Sequence, residues 1–232
     1  MIEPIINSSI LKRAKDNKLV EFNIINFRDF STNKHKTVDD TPYGGGSGMI
    51  LSVEPIYLAL ESLKGTPYKI LLSPQGSTFN QEKAKTLLEK KDIVFICGHY
   101  EGFDERVTEY IDEELSLGDF VMTGGEIAAI AMIDAIVRMV PGVLGSQESF
   151  EKDSFYDNLL DYPQYTKPRE FKGLTVPDVL LSGNHAKIEK WRKEMQEKKT
   201  FERRPDLLKN IQIKKMRFLS PFFCKLSSFF DS

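Results

Sequence analysis

Three short apolar runs, "YKILLSP" (68–74), "DIVFICG" (92–98) and "FVM" (120–122), each lie in or run into a glycine-bearing loop. Helical patterns are interleaved with them. A chain that alternates strand, glycine loop and helix is directed to a layered α/β fold, because each strand must bury its faces under neighbouring helices. "DIVFICG" is apolar at every position from Ile93 to Cys97 rather than at alternate ones. That marks a strand covered on both faces, hence a parallel sheet. "LVEFNIINF" (19–27) reads as a further strand. "VEPIYLALESL" (53–63) and "NQEKAKTLLEKK" (80–91) have helical spacing, the second with Asn80 or the Thr78 hydroxyl as its cap. The segment from Gly125 to Met139 is the most apolar helix, and Pro141-Gly142 stops it.

In open α/β sheets ligands sit beyond the carboxyl ends of the strands. The loops "SPQGSTFNQ" (73–81), "CGHYEGFDERV" (97–107) and "LGDFVMTGGE" (117–126) would meet there, with "DDTPYGGGSGMIL" (39–51) as a fourth glycine loop. None has the dinucleotide spacing or the lysine of a phosphate loop. Glu101, Asp104, Glu105, Asp119 and Glu126 would line the edges and repel phosphate. A cationic or zwitterionic ligand without phosphate fits better. S-adenosylmethionine is such a ligand, and glycines let the backbone approach it closely. The plainer alternative for any one loop is a tight turn.

The rest of the composition narrows the class. The chain has 232 residues, 41% hydrophobic and 28% charged, with a net charge of -2, so bulk charge does not point to nucleic acid. The cysteines, Cys97 and Cys224, make no disulfide framework and fit a reducing cytoplasm. The three histidines lie far apart, so no structural zinc site is expected. No membrane span or signal peptide is expected either. Positive charge gathers late: residues 187–217 hold twelve Lys/Arg against five Asp/Glu. Residues 184–210 read as a basic helix, either a solvated face or a surface for RNA backbone.

Arg138 and Asp153 each have a structural and a chemical reading. Arg138 can complement the dipole at a helix end, and Asp153 of "DSFYDNLL" can cap a helix. As a pair, an acid could take a ring proton from a base while the arginine stabilises charge on an exocyclic oxygen. His99 is the histidine beside the expected pocket.

The motifs "DDTPYGGGSGM", "LSPQGSTFNQ", "CGHYEGFDERV", "LGDFVMTGGE", "RMVPGVLG", "DSF" and "VPDVLLSGNHAKIEKWR" occur in that order. Over residues 2 to about 210 the chain resembles the bacterial tRNA (guanine-37-N(1))-methyltransferases. The resemblance implies an α/β, trefoil-knotted SPOUT-type domain with a parallel sheet (1–144) and a flexible interdomain linker (145–173). A small helical, basic tRNA-binding domain (174–217) and a tail (218–232) would follow. It implies a homodimer with the active site between subunits, and methyl transfer from S-adenosylmethionine to N(1) of guanine at tRNA position 37. Gly98, Tyr100 and Glu101 would hold the cofactor, with Leu117, Gly118, Asp119, Phe120, Val121 and Met122, then Gly124 and Gly125. Pro74 and Gln75 would line the same knot. Asp153 would be the general base, and Arg138 would stabilise the guanine oxygen. The motifs leave open whether a divalent ion assists.

Members of that family usually open on an apolar strand ending in Leu-Phe-Pro, ahead of the segment that here reads "EPIINSSILKRA". This chain starts at Met1-Ile2-Glu3, so a sheet lacking that strand is expected. The aromatic tail "RFLSPFFCKLSSFFDS" also departs from the pattern. The alternatives are another SPOUT-type RNA methyltransferase, acting on ribose or ribosomal RNA, and a non-catalytic RNA-binding module.

Overall fold

The computed structural model describes residues 1–145 and 153–208. The chain divides into two units, Met1–Gln147 and Glu148–Ser232. In the first, helices α1 (Ile2–Ile6) and α2 (Ser9–Asp16) open the chain. Residues 20–26, expected as a strand, are extended but pair with no ladder. Their alternation is real, since Val20 and Phe22 pack on a cluster of Ile6, Leu11, Ala14, Val137 and Val143. The alternation stops there, since Ile24 is exposed. A short 3-10 turn (Phe27–Phe30) leads to the antiparallel pair β1 (Asp39–Asp40) and β2 (Ile50–Leu51), then α3 (Val53–Glu61).

The sheet follows. β3 (Tyr68–Thr78) is central, with β4 (Ile93–Ile96) and β5 (Glu113–Ser116) parallel to it on either side. Helix α4 (Gln81–Leu88) joins β3 to β4, and the Asn80 side chain accepts the Lys83 N–H at 2.9 Å as its cap. A second 3-10 turn (Glu105–Tyr110) joins β4 to β5, and helix α5 (Glu126–Val137) follows. Successive side chains of β3 face opposite layers. Leu71 joins Val38, Leu51, Ile56, Leu60, Ile96 and Val107 in one core. Its neighbours Ile70 and Leu72, on the other face, are buried as well. Burial on both faces explains the apolar run Ile70–Leu72 of β3. Helix α5 buries Ala128, Ala129, Met132, Ile136 and Val137 on one face and exposes Ile127, Ala131 and Asp134 on the other.

The second unit contains a hairpin, β6 (Glu170–Phe171) with β7 (Leu174–Thr175), turned by Lys172 and Gly173 at φ 48° and 80°. Two positive φ values in a two-residue loop match the twist of the flanking strands. Helices α6 (Asp178–Leu181) and α7 (His185–Arg203) come next, and the Asn184 side chain caps the latter by accepting the Lys187 N–H at 3.1 Å. Thr200 on α7 is fully buried. Its hydroxyl donates to the Gln196 carbonyl at 2.7 Å and accepts the Leu160 N–H at 2.9 Å. The Arg192 guanidinium lies 4.9 Å from the Tyr162 ring. The described part of the expected linker, 153–173, is thus fastened to α7 along its middle. The tail falls outside the described residues.

Candidate active site

Because the three strands are parallel, their carboxyl ends share one edge, and the glycine loops leave from it. At β3 the edge is built by an arch. Leu115 of β5 pairs with Leu72 and again with Ser77, so residues 73–76 leave the ladder and return to it. Pro74 does not end the strand, as its sequence suggests, because pairing resumes beyond it. Pro74 and Gln75 are exposed in the arch, and the Gln75 N–H donates to the Ser73 hydroxyl at 3.1 Å. Gly76 closes the arch where a Cβ would stand 2.5 Å from the backbone of Glu114 and Leu115.

The loops after β4 and β5 are bonded to each other. The Gly125 N–H donates to the Gly98 carbonyl at 2.9 Å, and His99 and Gly124 form an isolated antiparallel bridge. Gly98 lies under the Phe103 ring, 2.4 Å from where its Cβ would stand. The fourth glycine loop joins them: the Glu101 N–H donates to Met49, the Leu51 N–H to Gly102 and the Asp104 N–H to Leu51, at 3.1, 2.9 and 2.9 Å. Tyr100, with φ of 61°, and Glu101 are exposed at the turn. Here the left-handed conformation falls on a tyrosine, which sequence gives no reason to expect.

The segment 117–122 forms a wall rather than a strand. The ladder of β5 ends at Ser116, whose hydroxyl donates to the Gly118 carbonyl at 2.9 Å and accepts the Gly118 N–H at 3.2 Å. This tight turn takes Phe120-Val121-Met122 out of the sheet, so the expected strand there is corrected to β5, four residues earlier. Phe120 and Val121 are 55% and 83% exposed, and Asp119 is exposed as well. Leu117, Gly118 and Met122 are half-buried beside them. Large apolar side chains held in solvent are what a binding wall would need, and a core strand would hide them.

The acids expected at the edge are not equivalent. Asp104 is bound by the Arg106 side chain, with contacts of 2.8 and 2.6 Å. The Arg106 hydrogen bond holds its carboxyl below the usual range. Glu126 is bound by His99, whose Nε2 is 2.6 Å from its Oε1, while the His99 Nδ1 is 3.1 Å from the Thr123 carbonyl. Sequence reading treats Glu126 as the first-turn acid of α5 and His99 as a histidine beside the pocket. Their pairing across 27 positions has no local signal. Among the described residues no group of three or more His, Cys, Asp or Glu could hold a metal ion.

Cys97 lies behind this wall. Burial, then the charge of Glu126, push its thiol up to about 12. At a fixed pH below that range it carries roughly a thousandfold less thiolate than an ordinary cysteine. In a Cys224→Ser chain at pH 8, iodoacetamide is therefore expected to label the native protein far more slowly than the urea-unfolded one. Equal rates would mean that the thiol is open to solvent. The native fold keeps this proton while the unfolded chain loses it, so the thiol's contribution to stability falls as pH rises above about 9.

Arg138 caps the C-terminus of α5 and is half-buried. Twelve helical residues separate it from the glycine wall, about 18 Å along the axis. Asp153 belongs to the second unit, where it opens a turn rather than capping a helix, its carbonyl accepting the Tyr156 N–H at 3.3 Å. On α7, Lys190, Arg192 and Lys198 form ion pairs with Glu194, Glu189 and Glu202. A cleft of about 650 Å3 lies at the opposite edge of the sheet, lined by Thr66, Tyr68, Lys69, Asp92 and Asp112 among others. These residues precede or begin the strands, so the cleft lies away from the glycine loops, and the carboxyl edge remains the better candidate.

A family model described as tRNA (Guanine-1)-methyltransferase TrmD matches residues 1–210. The tRNA (guanine-N(1)-)-methyltransferase of Staphylococcus haemolyticus (strain JCSC1435) is 56% identical over 211 residues, 90% of this chain and 86% of that protein. The enzymes of the same name from Staphylococcus carnosus (strain TM300) and Staphylococcus aureus (strain JH9) are each 55% identical over the same shares.

Proposed function

The chain belongs to the tRNA (guanine-1)-methyltransferase family, and on that premise we propose that it transfers a methyl group from S-adenosylmethionine to N(1) of guanine at tRNA position 37. The observation that carries the reading is the carboxyl edge: loops bonded to one another, glycines that bare the backbone, and no Lys or Arg within 73–79, 97–104 or 117–126. That edge suits a cofactor with an adenine, an amino-acid end and a positive sulfonium, and suits a nucleotide phosphate poorly. Gly98, Tyr100, Glu101 and the wall Leu117–Met122 would hold it, with Gly124, Gly125, Pro74 and Gln75 around them.

When bound, S-adenosylmethionine supplies an electrophilic methyl on a leaving thioether. The chain supplies the rest. The Asp153 carboxylate takes the N(1) proton, the new N(1)–methyl bond forms as the sulfur–methyl bond breaks, and the Arg138 guanidinium stabilises the charge that gathers on the guanine oxygen. Arg138 lies far along α5 from the wall, which supports a site completed by a second copy of the chain and hence a homodimer. A trefoil knot, a linker at 145–173 and a tRNA-binding second unit using the basic α7 complete the proposal. Among the described residues no helix is long and apolar enough to cross a membrane, and a cytoplasmic site of action is part of the reading.

The test is transfer of a labelled methyl to a tRNA transcript with guanine at position 37, beside one with another base there. Label at N(1) of that guanine alone is expected. Transfer to ribose, or to both transcripts alike, would reassign the enzyme to another RNA target. Absence of transfer by a folded chain that binds no S-adenosylmethionine would leave an RNA-binding module.

A further inference from the structure

We propose that His99 is a positioning residue for this reaction. Its ring bridges the Thr123 carbonyl and the Glu126 carboxylate, which fastens the segment Thr123–Gly125 to the loop after β4, and the site takes the cofactor at full affinity only while that bridge is in place. The inference rests on the S-adenosylmethionine reading above.

The argument begins with donors and acceptors. His99 Nδ1 faces the Thr123 carbonyl at 3.1 Å, and a carbonyl can only accept, so Nδ1 carries a proton. The other nitrogen, Nε2, faces Glu126 Oε1 at 2.6 Å. A neutral ring would turn a bare lone pair toward a bare carboxylate there. The short contact between the two is a hydrogen bond that ties the loop after β4 to the first turn of α5. The Glu126 carboxylate of α5 is in contact with the ring, and the Tyr100 ring lies 6.2 Å away.

Gly124 gives an independent observation. A Cβ at that position would stand 2.5 Å from His99 Cε1 and 2.6 Å from Glu126 Oε2. The backbone of the wall thus lies directly across the pair, and a hydrogen is all that fits between them. The bond from the Gly125 N–H to the Gly98 carbonyl lies next to it. Loss of the ring removes both of these contacts at the point where the segment is held. The wall then moves off the Gly98 loop.

His99→Ala is expected to raise the Kd for S-adenosylmethionine about tenfold, the weight of a lost charge-assisted hydrogen bond, with kcat at saturation changed less than KM. His99→Asn keeps a donor for Thr123, and His99→Gln keeps one for Glu126. Each is expected to recover part of the affinity. In a cycle with Glu126→Gln the two substitutions are expected to be non-additive. An unchanged Kd in a folded His99→Ala chain, or additive effects of His99→Ala and Glu126→Gln, overturns the proposal. If the parent chain binds no S-adenosylmethionine, the functional reading fails instead. The latch is then read by amide exchange at Gly125, expected to quicken in His99→Ala, and an unchanged rate sinks it.

Discussion

Asp153→Ala is expected to lower kcat for methyl transfer by about 10²–10⁴-fold, the usual weight of a positioned general base. The Kd for S-adenosylmethionine should stay within about twofold of the parent value. The physical reason is a division of labour along the chain. The groups proposed to hold the cofactor all lie in Met1–Gln147, fixed by backbone bonds among the glycine loops. Asp153 lies in the other unit, in a turn closed by its own carbonyl and the Tyr156 N–H. Removing its carboxylate leaves those backbone bonds intact, so the loss belongs to proton removal. Asp153→Asn keeps the shape of the side chain and should lose as much activity as Ala. Single-turnover rates and calorimetric titration give the two readings. Turnover within tenfold of the parent would remove Asp153 from the role of base, and a parallel loss of cofactor affinity would make its role structural.

The residues that could be read from sequence are those whose signal is local. The Asn80 cap, the strand β4 and the helix α5 depend on neighbours within a few positions, and all are present, though Ile96 alone of the four β4 residues is fully buried. The convergence of the glycine loops was also legible, because strand–loop alternation fixes which edge the loops share. What failed depended on contacts that the composition of a segment does not show. Val20 and Phe22 alternate as a strand would, yet burial against α2 and α5 satisfies that pattern without a ladder. Phe120-Val121-Met122 has the composition of a strand, but the Ser116 hydroxyl folds the chain over at Gly118 and leaves the run in solvent. Pro74 reads as a strand end until Ser77 and Thr78 are seen to pair with Leu115 and Ser116. The His99–Glu126 pair and the hold of Thr200 on Leu160 join positions 27 and 40 apart, distances over which one sequence carries no pairing signal.

Gly76→Ala tests the arch itself. Gly76 is not one of the left-handed glycines, so alanine meets no backbone strain of its own there. The added Cβ would instead stand 2.5 Å from the Glu114 carbonyl carbon and the Leu115 nitrogen, and 2.7 Å from the Glu114 oxygen. All three atoms belong to the β5 backbone, which is paired with β3 on both sides of the arch and cannot swing away as a side chain can. Overpacking of this kind costs about 1–3 kcal/mol and more where the obstacle is rigid, so a loss near the upper end, roughly 3 kcal/mol, is expected. For a chain of this size that is a fall in Tm of roughly 6–12 °C. The control is Gly145→Ala, where nothing lies within 4 Å of the new Cβ and Tm should hold. If β5 yields instead, the strain passes through Ser116 to Gly118 and the wall behind it. The Kd for S-adenosylmethionine then rises while Tm falls less. Either result places Gly76 under β5. A Gly76→Ala chain equal to Gly145→Ala in both Tm and Kd would mean that the arch does not close on β5, and the shared edge of the glycine loops would have to be rebuilt from another register.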